Sequence, residues 1–96
     1  MTRAEILDRA KVCVCGERES DYGTPEANFQ RIADLWSVYL GLGEDTRLEA
    51  KDAAAMLALL KIARIASGHA KYDNWIDLAG YAACGGEIEG GDCYVP

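Results

Sequence analysis

Apolar residues recur along this chain at intervals of three and four, the spacing that places them on one face of an α-helix. The first such stretch opens at Thr2. Glu5 follows three residues later as the second half of a capping box. Ile6, Leu7, Ala10, Val12 and Val14 form an imperfect stripe, and Gly16 is expected to end the helix by taking the left-handed conformation. The second helix is predicted over residues 25–40. Thr24 is its N-cap and Pro25 its first residue, and Phe29, Ile32, Ala33, Trp36, Tyr39 and Leu40 mark one face. This aromatic stripe reads as core or subunit interface. Gly41 and Gly43 stop it.

The third helix is expected to start at Thr46, with Glu49 completing a second capping box, and to run to about Ser67 before Gly68. Met56, Leu57, Leu59, Leu60, Ile62 and Ile65 surround most of its circumference, which predicts a central helix covered on several sides. Its alanines let neighbours approach closely. The fourth helix is expected to be capped by Asp73 or Asn74 and to reach about Cys84, with Gly85 and Gly86 as terminators. Gly80 in its middle marks close approach by a neighbouring helix or a ligand. No stretch has strand periodicity. The fold expected is an all-α bundle of about four helices, residues 1–86, with a Gly-rich acidic tail at 87–96. A core this small favours burial between subunits, so a homo-oligomer is expected.

Composition narrows the function. Among 96 residues the net charge is -6, which disfavours general nucleic-acid binding because phosphate neutralisation needs a surplus of Lys and Arg. No segment has the apolar length of a membrane span, since Lys61 and Arg64 interrupt the longest run. The start of the chain is polar and charged, unlike a signal peptide, so a cytoplasmic protein is expected. The four cysteines, Cys13, Cys15, Cys84 and Cys93, lack zinc-site spacing relative to each other and to His69; they read as reduced structural thiols.

Charge within the third and fourth helices is the candidate chemistry. Lys61 and Arg64 share a face and read either as solvated ends or as a site for an anion. Glu49 and Asp52 share a face of the third helix, and Asp73 and Asp77 share a face of the fourth. In a simple hairpin of these helices, Asp73 and Asp77 come near Arg64 and Lys61, while Glu49 and Asp52 lie at the far end. In the loop before the second helix, Asp21-Tyr22-Gly23 places an aromatic beside a turn glycine, suited to core packing or to stacking on a ligand.

The blocks GERESDYGTPEANFQRIADLW, LLKIAR and YDNWIDLAGYAA resemble a family of small helical proteins of tailed phages, over about residues 5–84. That family's helical pattern is in turn similar to the all-α MazG-like nucleotide pyrophosphohydrolases. Those enzymes hold magnesium through E-x-x-E and E-x-x-D motifs on facing helices. Carried over by residue, Asp77 matches the last acid of the second motif, but Asn74 stands where its glutamate partner is expected. Glu49-x-x-Asp52 stands for the first motif without its second glutamate, and Asp73 completes the acidic set. The resemblance implies Mg2+ as cofactor if the protein is an enzyme, and Arg18, Tyr22, Lys61, Arg64 and Asn74 as nucleotide contacts.

Three functions follow as expectations. The depleted acid set and the cation pair favour a protein that binds a nucleotide or cyclic nucleotide without turnover, sequestering a host defence signal. The alternatives are a magnesium-dependent nucleoside triphosphate pyrophosphohydrolase and an acidic inhibitor of a host defence protein.

Overall fold

A computed structural model of the chain describes residues 1–16, 23–68 and 71–90. Among these residues four α-helices follow one another: α1 (Arg3–Cys15), α2 (Pro25–Leu40), α3 (Ala50–Ala66) and α4 (Tyr72–Gly90), with a 3-10 turn at Glu44–Thr46 before α3. The all-α bundle expected from periodicity is therefore present.

Local signals act at most of the ends. The Thr2 hydroxyl accepts from the Glu5 N–H at 3.1 Å, and the Glu5 carboxylate accepts from the Thr2 N–H at 3.3 Å. The Thr2 N–H and then the Thr2 hydroxyl, both donating to the Glu5 carboxylate, hold it below the usual carboxylate range. The Thr24 hydroxyl accepts from the Ala27 N–H, and Pro25 opens α2. Gly41 closes α2 in the left-handed conformation, with φ 69°.

Four expectations at the ends need correction. Gly16 ends α1 with φ -93°, not left-handed; a glycine is still needed there, because a Cβ would lie 2.9 Å from the Val12 carbonyl oxygen. Thr46 closes the 3-10 turn instead of opening α3. The N-cap of α3 is Glu49, whose N–H donates to the Asp52 carboxylate at 2.8 Å. Asp73 and Asn74 fall inside the first turn of α4, which begins at Tyr72. Finally, Gly85 and Gly86 do not stop α4, which continues to Gly90 and takes in the first residues assigned to the tail. Packing outweighs glycine's roughly 1 kcal/mol helix penalty there: Ile88 lies against the core, and a Cβ on Gly85 would make ordinary contact with the Ala54 Cβ at 3.4 Å.

The helices assemble through small residues. α4 packs along both α1 and α3, and α2 packs on α3. Ala10, Ala33, Ala50, Ala53, Ala54 and Cys84 are buried; Phe29 and Ile76 are the large apolar side chains among the buried described residues. A Cβ on Gly80 would lie 3.1 Å from Val14 Cγ1, so this glycine serves contact between α1 and α4. The buried Ser37 ties the connection to the bundle: its hydroxyl donates to the Ala33 carbonyl at 2.7 Å and accepts from the Leu48 N–H at 2.9 Å.

The central position expected for α3 is only half realised. Ala50, Ala53, Ala54 and Lys61 are buried, whereas Met56, Leu59, Leu60 and Ile62 are exposed. The aromatic stripe of α2 also divides: Phe29 is buried, Trp36 packs against the core, and Tyr39 and Leu40 are exposed.

Candidate functional site

The site begins with the register between α3 and α4. Lys61 Nζ and the Asp77 carboxylate lie 2.8 Å apart, and Ala54 lies opposite Gly85. The two helices are thus antiparallel, and the Lys61 side chain is almost covered while Asp77 is partly open. A buried ammonium is costly without a counter-charge. Asp77 supplies one, so this wall of the bundle is locally neutral.

Beside this pair is a cavity of about 250 Å³. Phe29, Ile32, Leu57, Ile76 and Tyr81 give it an apolar lining, and Asn28 and Asp77 supply polar atoms. Each helix contributes, with Cys13 and Val14 reaching it from α1 and Cys84 from α4. The Phe29 and Tyr81 rings meet edge to face, their centroids 6.2 Å apart. Such an edge contact fixes both rings. The arrangement suits a flat, mostly apolar ligand with a hydrogen-bonding edge: the Asn28 amide offers both donors and an acceptor, and the Asp77 carboxylate accepts.

The sequence-predicted site residues divide among several places. Lys61 and Asp77 meet at the cavity wall. Arg64 does not join them in a buried cation pair; it is exposed. Leu57, Lys61 and Arg64 nonetheless share a helix face, at i, i+4 and i+7. Arg64 stands roughly 10 Å along the axis from Leu57. Asp73 is exposed at the start of α4, and Asn74, half-buried in the next position, carries an interaction of its own.

Glu49 and Asp52 occupy the opposite end of α3. They are separated from Lys61 by roughly 15 Å of helix. Asp52 is engaged in capping and lies 3.7 Å from Lys51, while Glu49 borders a shallow depression with Glu26 and Glu89. The four carboxylates Glu49, Asp52, Asp73 and Asp77 therefore do not converge, and no group of three or more potential metal ligands forms among the described residues. Arg18 and Tyr22 lie outside the described residues, although Gly23, the residue after Tyr22, lines the cavity.

Sequence reading missed Asn28, Tyr81 and the cysteines as cavity residues. Phe29 and Ile32 were legible as an apolar stripe. That the stripe leaves a hollow depends on how far α1 stands from α2, which no local pattern encodes.

Residues 5–89 match the family described as Domain of unknown function (DUF6378). The chain belongs to this family. Curated relatives of this DUF6378 chain include two phage proteins. One is the Gene 55 protein of Mycobacterium phage D29, 39% identical over 79 residues, which are 82% of this chain and 50% of the relative. The other is the Gene 55 protein of Mycobacterium phage L5, 42% identical over 77 residues, 80% of this chain and 47% of the relative. The chain thus spans about half the length of these relatives. No solved structure matches it significantly. No helix among the described residues is long and apolar enough to cross a membrane.

Proposed function

We propose that this protein binds a nucleotide or cyclic nucleotide and holds it without turnover, acting in the host cytoplasm as a sink for a defence signal. The observation that carries the reading is the cavity between the four helices, with Phe29 and Tyr81 in its wall and the Asn28 amide and Asp77 carboxylate as its polar groups. Bases bind proteins through ring contacts and hydrogen bonds to their edges, and these groups provide both. Because Lys61 is committed to Asp77, the cavity takes the uncharged base and leaves the phosphate outside. Arg64, on the same face of α3 as Leu57, is the cation within reach of that phosphate. The phage setting of the Gene 55 relatives supports a host signal as the ligand.

Calorimetry against a panel of nucleotides and cyclic nucleotides tests the proposal. Binding is expected, with the ligand recovered unchanged after denaturation, and Asn28→Leu is expected to weaken it by about 1–3 kcal/mol through loss of the edge hydrogen bonds. Absence of binding across the panel rejects the reading. Pyrophosphate release in the presence of magnesium, abolished by Asp77→Asn, would replace it with the hydrolase alternative.

A further inference from the structure

The polar groups in the cavity wall discriminate between bases. Asp77 Oδ2 lies 2.8 Å from Lys61 Nζ, and among the described residues Asp77 Oδ1 has no hydrogen-bond partner. As one half of an ion pair, this carboxylate only accepts, and each of its oxygens keeps a lone pair for a ligand. The side-chain amide of the half-buried Asn28 also has no partner among the described residues. Both groups line the cavity, together with the Phe29 and Tyr81 rings.

A carboxylate is best matched by two adjacent, parallel donors, one to each oxygen. Guanine presents such a pair, its N1–H beside its N2 amine. Adenine and cytosine set an acceptor nitrogen beside their exocyclic amine. Uracil flanks its one N–H with two carbonyls. Each of these three would aim a lone pair at the Asp77 carboxylate. On the other side of N1–H, guanine carries the O6 acceptor, which suits the donors of the Asn28 amide.

A guanidinium cation also presents two parallel donors, and Lys61 decides against it. The Lys61 side chain is only 11% exposed, and its ammonium already neutralises Asp77. A cation entering the cavity would give up its hydration and meet no net negative charge. A neutral ring does not need one. At about 250 Å³, the cavity is also smaller than the roughly 300–1,000 Å³ sites of drug-sized ligands. It holds one ring system, with sugar and phosphate outside. We infer that the cavity selects guanine: Asp77 accepts from N1–H and the N2 amine, Asn28 donates to O6, and the ring lies against Phe29 and Tyr81. This inference rests on the nucleotide reading proposed above.

Calorimetric titration of the protein with the nucleoside monophosphates of guanine, hypoxanthine, xanthine, adenine, cytosine and uracil tests it. Guanosine monophosphate is expected to bind tightest. Inosine monophosphate lacks only the N2 amine, and loss of that hydrogen bond to a carboxylate is expected to weaken binding ~10- to 100-fold. The other four set an acceptor against Asp77 and are expected to bind ~100-fold or more weakly. Equal affinity for guanosine and inosine or adenosine monophosphate overturns the guanine assignment and leaves the nucleotide reading standing. No binding to any of the six removes that reading, and this inference with it. Tighter binding of agmatine, a guanidinium compound without a base, overturns the assignment in favour of a cation site. Asp77→Asn combined with Lys61→Met removes both charges, so no ammonium is left buried alone. The new amide accepts from N1–H and donates to the O2 of xanthine. The double variant is therefore expected to prefer xanthosine over guanosine monophosphate, with its far-UV circular dichroism unchanged. A folded double variant that keeps the guanosine preference overturns the role of Asp77. If that variant does not fold, the six monophosphates on the unaltered protein still decide.

Discussion

Single side chains hold the connections of this bundle more than its helices. Ser37 is the clearest case, because its hydroxyl satisfies the Leu48 N–H at the entry to α3. Ser37→Ala leaves that donor with no acceptor in a half-buried place. A loss of about 1–3 kcal/mol is expected by urea denaturation, and a loss below that range would mean water replaces the hydroxyl. Asp34 joins α2 to the same connection through Arg47 at 2.8 Å and also accepts from Gln30. The Arg47 guanidinium, then the Gln30 amide, hold the Asp34 carboxyl below its ordinary range. A depressed carboxyl contributes stability above its unfolded value, about 3.9, and loses it as pH falls through the lower folded value. Arg47→Ala is therefore expected to move the Asp34 titration upward in NMR and to reduce the loss of stability on acidification. An unchanged titration would place the cause elsewhere.

At the scale of elements, α4 is where sequence and structure part most. A pair of glycines is a good stop signal, yet Gly85 and Gly86 lie inside the helix. Gly86→Ala would add a Cβ with nothing within 4 Å. It is expected to stabilise by up to about 1 kcal/mol through helix propensity alone, raising the melting temperature; a lower one would mean the helix stops before Gly86. Helix identity, the Thr2 and Thr24 caps and the split between Asp77 and Glu49 were legible, because each depends on spacing within about one turn or on the antiparallel sense of two neighbours. The end of α4 was not, because it depends on Ile88 finding the core. Nor was the separation of Lys61 from Arg64. Their i, i+3 spacing puts them side by side, but one turns toward α4 and the other toward water.

For the whole molecule, the notable distribution is of side-chain size. Large apolar groups such as Leu59, Val38 and Tyr39 lie outside, while alanine supplies five of the buried described residues beside Phe29 and Ile76. Ala54 faces Gly85, where an added Cβ would just reach van der Waals contact at 3.4 Å. Adding even one methylene at Ala33, Ala53 or Ala54 must push backbones apart, a strain of about 1–3 kcal/mol or more. The usual map of mutational tolerance is thereby widened. In most proteins a saturation scan finds bulky hydrophobic positions the least forgiving; here the buried alanines should join Phe29 and Ile76 among them, and selection would act on this chain also by forbidding growth at its smallest residues.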